Sequence, residues 1–372
     1  MSRRDTSMAV MFVLALLAAA AGCLYGVPGI TPPAVYPRIV PVPGGAMPNP
    51  PVYRFPFGNG TVWVNISVQP PVYAGARAAD KSVRISDQHM KEEDWKAGIY
   101  QAMVADPAQD SFYSSLAGAM RKVRDEKKLE PDAYAELMAV FVQSIPYEHQ
   151  NLSTPRFPVE TYVDGKGDCD DKSLLLAGLL SREDYRAALL YFEPEHHMAA
   201  GVGCQGPGYR GTGYAYIETT NVSLVGIVPV ELEGGARLDS DPMVIPVGSG
   251  SRNYTRCNET GQIWQEVLDT ASRLESLEAS LQALEQELDG RRAVLEGQKQ
   301  VLDAARANGD LERYNAGVGA YNEGVVAYNQ RLSEYRDLAD QHNQLAAVHN
   351  YLVSHQFDRQ GSYAWLMSLS DA

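Results

Sequence analysis

The chain has 372 residues, 45% of them hydrophobic, and 46 acidic against 32 basic side chains leave a net charge of −14. That length allows one mid-sized domain and an accessory element. So acidic a balance, with no basic run, speaks against a nucleic-acid partner and for a solvated, self-repelling surface.

The chain opens with Arg3 and Arg4, an almost unbroken apolar run from Met8 to Ala21, and then Gly22 and Cys23. That is the order of a secretory leader, so residues 1–22 are set aside from the fold. The small-small-Cys ending is also that of a lipobox, in which Cys23 is acylated after cleavage, although Ala20 stands where a larger aliphatic residue is usual. An uncleaved span from Met8 to Tyr25, just long enough for a bilayer, and full secretion are the alternatives. All three put the rest of the chain outside the cytoplasm. Asparagine usage agrees. Of seven asparagines outside the C-terminal helical region, six (Asn59, Asn65, Asn151, Asn221, Asn253 and Asn258) stand in N-glycosylation acceptors, and none of the six within that region does. A lipobox-like leader on a glycosylated chain points to the extracytoplasmic face of a prokaryotic, archaeal-type cell membrane.

Residues 23–56 are rich in proline, with ten between Pro28 and Pro56, and predict an extended spacer. Thr61 to Val68 alternates as a strand does. Phe112, Leu116, Met120 and Val123 recur at helical spacing, and Pro131 opens a second helix with Tyr134, Leu137, Met138, Phe141 and Val142 on one face. After a loop comes Gly167-Asp168-Cys169 and an apolar helical stretch to Leu180. Short strands are predicted at Tyr185 to Phe192, Met198 to Val202, Tyr214 to Thr219, Gly226 to Val230 and Met243 to Val247. Helices followed by antiparallel strands make residues 57–255 an α+β domain.

The last third differs in kind. Val267, Leu274, Leu281, Leu288, Leu295 and Leu302 repeat every seven residues, Asn308-Gly309-Asp310 breaks the pattern, and Tyr314, Tyr321, Tyr328, Tyr335, His342 and His349 resume it. Two heptad helices joined by a turn predict an antiparallel coiled-coil hairpin over 260–356, followed by a tail, 357–372. The tyrosine and histidine row fits a seam of bulky, partly wet rings packed on leucines.

The chemistry resides in Gly167-Asp168-Cys169-Asp170-Asp171-Lys172-Ser173-Leu174. A cysteine is nucleophilic as thiolate, which a helix N-terminus and a neighbouring imidazole favour. Cys169 stands where the apolar helix begins, with Asp168 placed to cap it. Asp168, Asp170 and Asp171 bring negative charge that opposes the thiolate. His196 and His197 precede a strand, and alternation lets only one of them face Cys169. Glu218, on the next strand, is placed to fix the imidazole. Asp168, Asp170, His196 and His197 lack a recognised metal-ligand spacing, and thiol chemistry calls for no cofactor. Cys204 and Cys257 remain, and form a possible disulfide in an oxidising compartment.

From Phe112 to Thr220 the sequence resembles the transglutaminase-like superfamily, permuted relatives of papain-like cysteine peptidases. The resemblance rests on Gly167-Asp168-Cys169-Asp170-Asp171 with Leu174 and Leu175, on His197-Met198-Ala199, and on Tyr216-Ile217-Glu218-Thr219-Thr220. It implies Cys169 as nucleophile, His197 as base and Glu218 as orienting acid, acting on an amide of a protein or peptide at the cell surface. Two departures stand out: Glu218 is aspartate in most of the family, and Met198 replaces the aromatic residue that commonly follows the histidine. The alternative is a surface binding or assembly protein that keeps the fold without turnover. The hairpin fits a coiled-coil partner or self-association.

Overall fold

The computed structural model of the protein describes residues 33–148, 154–232 and 235–370; the leader with Cys23, and Asn151, lie outside them. In chain order the main elements are β1 (Ala34–Val35), β2 (Tyr53–Phe57), β3 (Gly60–Val64), α1 (Pro70–Ala78), β4 (Arg84–Ile85), α2 (Glu92–Ala105), α3 (Asp110–Lys127), α4 (Pro131–Gln143), α5 (Pro158–Asp164) and α6 (Cys169–Arg182). They continue with β5 (Ala187–Phe192), β6 (His197–Gly203), β7 (Tyr214–Ile217), β8 (Met243–Val247), α7 (Cys257–Ala307), α8 (Leu311–Ser354) and α9 (Arg359–Ser370). The architecture is α+β: helices pack on a four-stranded antiparallel sheet of order β7-β6-β5-β8, and a helical hairpin follows.

The organising element is α6. Leu174, Leu175, Leu176, Leu179 and Leu180 are all wholly buried, so this helix is apolar on every side and has to be central. One side of it meets Leu189, Met198, Ala200, Val202, Ile217 and Ile245 of the sheet; α2 to α5 cover the other. Truncating one such leucine to alanine costs about 2–5 kcal/mol, which fixes where the first turn of α6 lies. On the opposite face of the sheet Leu190, Phe192, Ala199, Tyr216 and Leu238 form a smaller cluster.

The described part of the proline-rich stretch lies against this domain. Tyr53, Phe55 and Phe57 of β2 point inward, and the pair β2–β3 carries Pro56 facing out, as an edge hairpin permits. Ile39 is buried, with its N–H on Asp106 Oδ2 at 2.6 Å. The strand expected at Gly226–Val230 is absent. Gly226 takes φ +100°, its N–H binds Tyr216 O at 2.8 Å, and Leu224 and Ile227 turn away to pack on Ile263, Val267 and Leu352 at the hairpin root. Burial against the hairpin wins over a fifth strand.

In the hairpin, α7 has 51 residues and spans about 75 Å. Gly309, at φ +72°, supplies the turn, and Asp310 Oδ1 caps α8 through the Arg313 N–H at 3.1 Å. The tyrosine row is half-buried in the seam. Gly317 and Gly324 bring the helices close, because a Cβ at either would stand 2.9 Å from a methyl of Leu302 or Leu295. Arg331 binds Glu287 across the seam at 2.7 Å. At the root, α9 occupies what read as a tail. Its buried Arg359 pairs with Glu136 of α4 and Glu259 of α7, and the Tyr254 hydroxyl donates to Glu136 Oε1 at 2.6 Å. The hairpin is thereby tied to the core of the α+β domain.

Candidate active site

Local sequence explains why Cys169 begins a helix. Asp168 Oδ1 accepts from the Asp171 N–H at 3.1 Å, and Asp171 Oδ2 accepts from the Asp168 N–H at 3.3 Å, a reciprocal capping box. Gly167 is required beneath it, since a Cβ there would lie 2.8 Å from Asp171 Cβ. The Arg156 guanidinium closes on Asp171 at 3.1 Å. Burial pushes the carboxyls of Asp168 and Asp171 upward, and the charge of Asp168 adds to the rise of Asp171, while Arg156 holds against both.

The sheet delivers the imidazole and the carboxylate. His197 is the first residue of β6 and pairs with Phe192. Register Ala200↔Ile217 between β6 and β7, carried one step on, sets Glu218 opposite Ala199, on the same face as His197. His197 Nε2 lies 3.3 Å from Glu218 Oε2 and 3.1 Å from the Tyr216 hydroxyl, which donates to Glu218 Oε2 at 2.6 Å. The other oxygen, Oε1, accepts from the N–H groups of Thr219 and Thr220 at 2.9 Å and from the Thr220 hydroxyl at 2.8 Å. His197 is 5% exposed and Glu218 3%, so this pair is screened from water. Burial opposes the charge on Glu218, but the His197 bond and charge, with Tyr216 and the Thr220 N–H, outweigh it and hold the carboxyl at about 2. Nδ1 is then the ring nitrogen left to exchange a proton. His196 adopts φ +48° in the preceding turn and is exposed, so His197 is the histidine of the site.

Cys169 comes to the same end of the sheet. Ser173 Oγ donates to Met198 O at 3.1 Å and contacts Thr219 Oγ1 at 3.1 Å, and that hydroxyl reaches Cys169 O at 3.5 Å. The thiol itself bonds Asp170 Oδ1 at 3.6 Å, and no hydrogen bond joins it to His197. Burial first, then the charges of Asp170 and Asp168, push the thiol well above its ordinary range, while the Met198 N–H directed at the sulfur pulls down. Burial, with the aspartates adding to it, thus favours the thiol over the thiolate that a helix N-terminus would favour. Asp170, half-buried, is pushed up to about 6 by burial and by Asp168.

Sequence reasoning missed Tyr216, Thr219, Thr220, Ser173 and Lys172. Tyr216 carried a readable signal, since it precedes Glu218 by two residues and so shares its face. Behind Glu218, a cavity of about 430 Å³ lined by Val222, Ile227, Leu232, Trp264, Leu268 and Val353 separates the carboxylate's loop from the hairpin root.

Away from the site, Cys204 and Cys257 meet, their sulfurs 2.8 Å apart. Asn59, Asn65, Asn221 and Asn258 are exposed, whereas Asn253 is half-buried. Among the described residues no cluster of three metal-ligating side chains occurs, and no helix is long and apolar enough to cross a membrane. No family model, curated protein or solved structure matches the chain.

Proposed function

We propose that the protein is an exported, membrane-anchored thiol enzyme that acts on amide bonds of surface proteins or peptides through Cys169, His197 and Glu218, on a transglutaminase-like core. The observation that carries this reading is the buried His197–Glu218 pair, 3.3 Å apart, at the sheet end where the Cys169 helix begins. A structural histidine needs no carboxylate held by three further donors on one oxygen and a tyrosine on the other.

Burial and the neighbouring aspartates push the thiol upward, so in this mechanism the proton leaves as attack occurs. Sγ forms a bond to the amide carbonyl carbon, and the thiol proton passes to His197 Nδ1. Glu218 stabilises the imidazolium, and the Cys169 N–H at the helix start is one donor to the oxyanion. The C–N bond then breaks, the amine departs with the imidazolium's proton, and a thioester remains. Water attacking the thioester gives hydrolysis; a primary amine gives transamidation. The leader and Cys23 would hold the chain at the outer membrane face.

Incubating leaderless protein with mixed-sequence peptides, alone and with a primary amine, tests this reading. Turnover in wild type, abolished in Cys169→Ala and His197→Ala and reduced about 10³–10⁴-fold in Glu218→Gln, is expected. Products that persist unchanged in Cys169→Ala would refute it.

The alternative, an assembly protein, draws on one observation. The apolar row Val318, Val325, Leu332, Ala339 and Ala346 of α8 stays partly exposed, as the tyrosine row beside it does. Apolar surface left open along a hairpin fits a further helix. Sedimentation of the leaderless chain decides: a strict monomer up to high micromolar concentration removes self-association.

A further inference from the structure

One buried ionisable group that the proposed chemistry leaves unused is Lys172. It is wholly buried, one turn beyond Cys169 on α6. Its Nζ donates to Ile145 O at 2.7 Å, Gln143 O at 3.2 Å and Thr220 O at 3.4 Å. Two of these carbonyls lie at the C-terminus of α4, where the helix dipole favours a cation. A compact ammonium with three rotatable donors suits three converging carbonyls better than the planar fork of arginine.

The third carbonyl gives the contact its meaning. Thr220 accepts from Lys172, and through its own N–H and hydroxyl it donates to Glu218 Oε1 at 2.9 and 2.8 Å. Gln143 closes the circuit from the other side, with Nε2 on Glu218 O at 2.8 Å and Ser223 O at 2.9 Å. The next residue, Ser173, binds Met198 O, beside His197. Two consecutive side chains on the thiol's helix therefore grip the segments that carry the other two members of the site.

We infer that Lys172 is a positioning residue: its ammonium, through Thr220, sets the Glu218 carboxylate and hence the tautomer and placement of the His197 imidazole relative to Cys169. This rests on the catalytic reading above. It assigns Lys172 no contact with substrate; it acts through Thr220.

The test uses leaderless full chain, wild type, Lys172→Gln and Lys172→Arg, with two readouts. One is the ¹⁵N imidazole signal of His197 followed against pH; the other is acetylation of Cys169 by p-nitrophenyl acetate. In folded Lys172→Gln the preference for the Nε2–H tautomer should weaken, and acetylation should slow about 100-fold with little change in half-saturation, as a misplaced group costs rate rather than binding. A folded Lys172→Gln with wild-type imidazole signals and rate overturns the inference. If Lys172→Gln does not fold, Lys172→Arg decides: it keeps the cation but redirects its donors, so its imidazole signal should move and its rate fall about tenfold. Wild-type values in that variant, or failure of both variants to fold, would make Lys172 a purely structural residue. Absence of Cys169-dependent acetylation in the wild type refutes the enzymatic reading instead, which separates the two failures.

Discussion

Replacing Asp170 by asparagine should make Cys169 more reactive. The carboxylate accepts the thiol's hydrogen bond at 3.6 Å, and among the described residues no cation pairs with it. By contrast Asp171 has Arg156, Glu136 has Arg359 and Glu160 has Lys81. A unit charge about 4 Å from the sulfur contributes at most about 4 kcal/mol at an effective dielectric near 20. Solvent at a half-buried carboxylate trims this to about 1–2 kcal/mol, or roughly one pH unit of thiol titration. Labelling by iodoacetamide at pH 8 should therefore accelerate about tenfold in Asp170→Asn. Other groups facing Asp170 are Asp168 on its own helix, His197 on β6, and Tyr100 and Tyr191 from α2 and β5, and all remain in the variant. Stability should move with it. The folded-state carboxyl is raised from 3.8 to about 6, so its ionisation weakens the fold above pH 6 and has no effect below about pH 4, where both states are protonated. Asp170→Asn should gain about 1–2 kcal/mol at pH 8 by urea titration, and that gain should vanish below pH 4. A variant that labels no faster and is no more stable at pH 8 would refute the account of the silent thiol.

Three further outcomes follow from the geometry. Protein isolated under oxidising conditions should carry a Cys204–Cys257 disulfide closing a loop across a separation of 53 residues, which Cys204→Ser would forfeit at a cost of up to about 4 kcal/mol; free thiols at both positions by mass spectrometry after peptide mapping would contradict this. Arg359→Met strands the buried Glu136 carboxylate and should cost about 3–5 kcal/mol in urea unfolding; a loss under 1 kcal/mol would mean the hairpin root is held by apolar packing alone. Gly317→Leu with Gly324→Leu should part the helices against Leu302 and Leu295 and lower the hairpin's helical signal on heating; an unchanged melt would mean the close approach contributes nothing.

Much of the fold was legible because single residues carried decisive physics. Pro131 marked a helix start, and the break at Asn308-Gly309-Asp310 marked the hairpin turn. The apolar run after Asp168-Cys169 marked a buried helix with its cap. What stayed hidden depended on partners distant in sequence. β2 lies in a proline-rich stretch whose composition argues for a spacer, and only the alternation of Tyr53, Phe55 and Phe57 against β3 makes it a strand. Gly226–Val230 has strand composition, but the hairpin root competes for Leu224 and Ile227. At the site, the residue types of thiol, imidazole and carboxylate could be named from motif and alternation. The upward push on the Cys169 thiol could not, because it depends on how deeply Asp170 and the sulfur are buried. Lys172 was equally opaque: a lysine in the first turns of a helix ordinarily faces water, and here three main-chain carbonyls hold it inside.

The most direct test of the central claim is the intact mass of leaderless protein after brief exposure to p-nitrophenyl acetate, with Cys169→Ala and His197→Ala beside it. The account expects a single acetyl group on Cys169 in the wild type, none in Cys169→Ala, and acetylation slowed by about 100-fold or more in His197→Ala. Equal acetylation of wild type and His197→Ala, or label spread over lysines with none on Cys169, would mean that the imidazole does not serve the thiol and that the protein is not a thiol acyl-transfer enzyme.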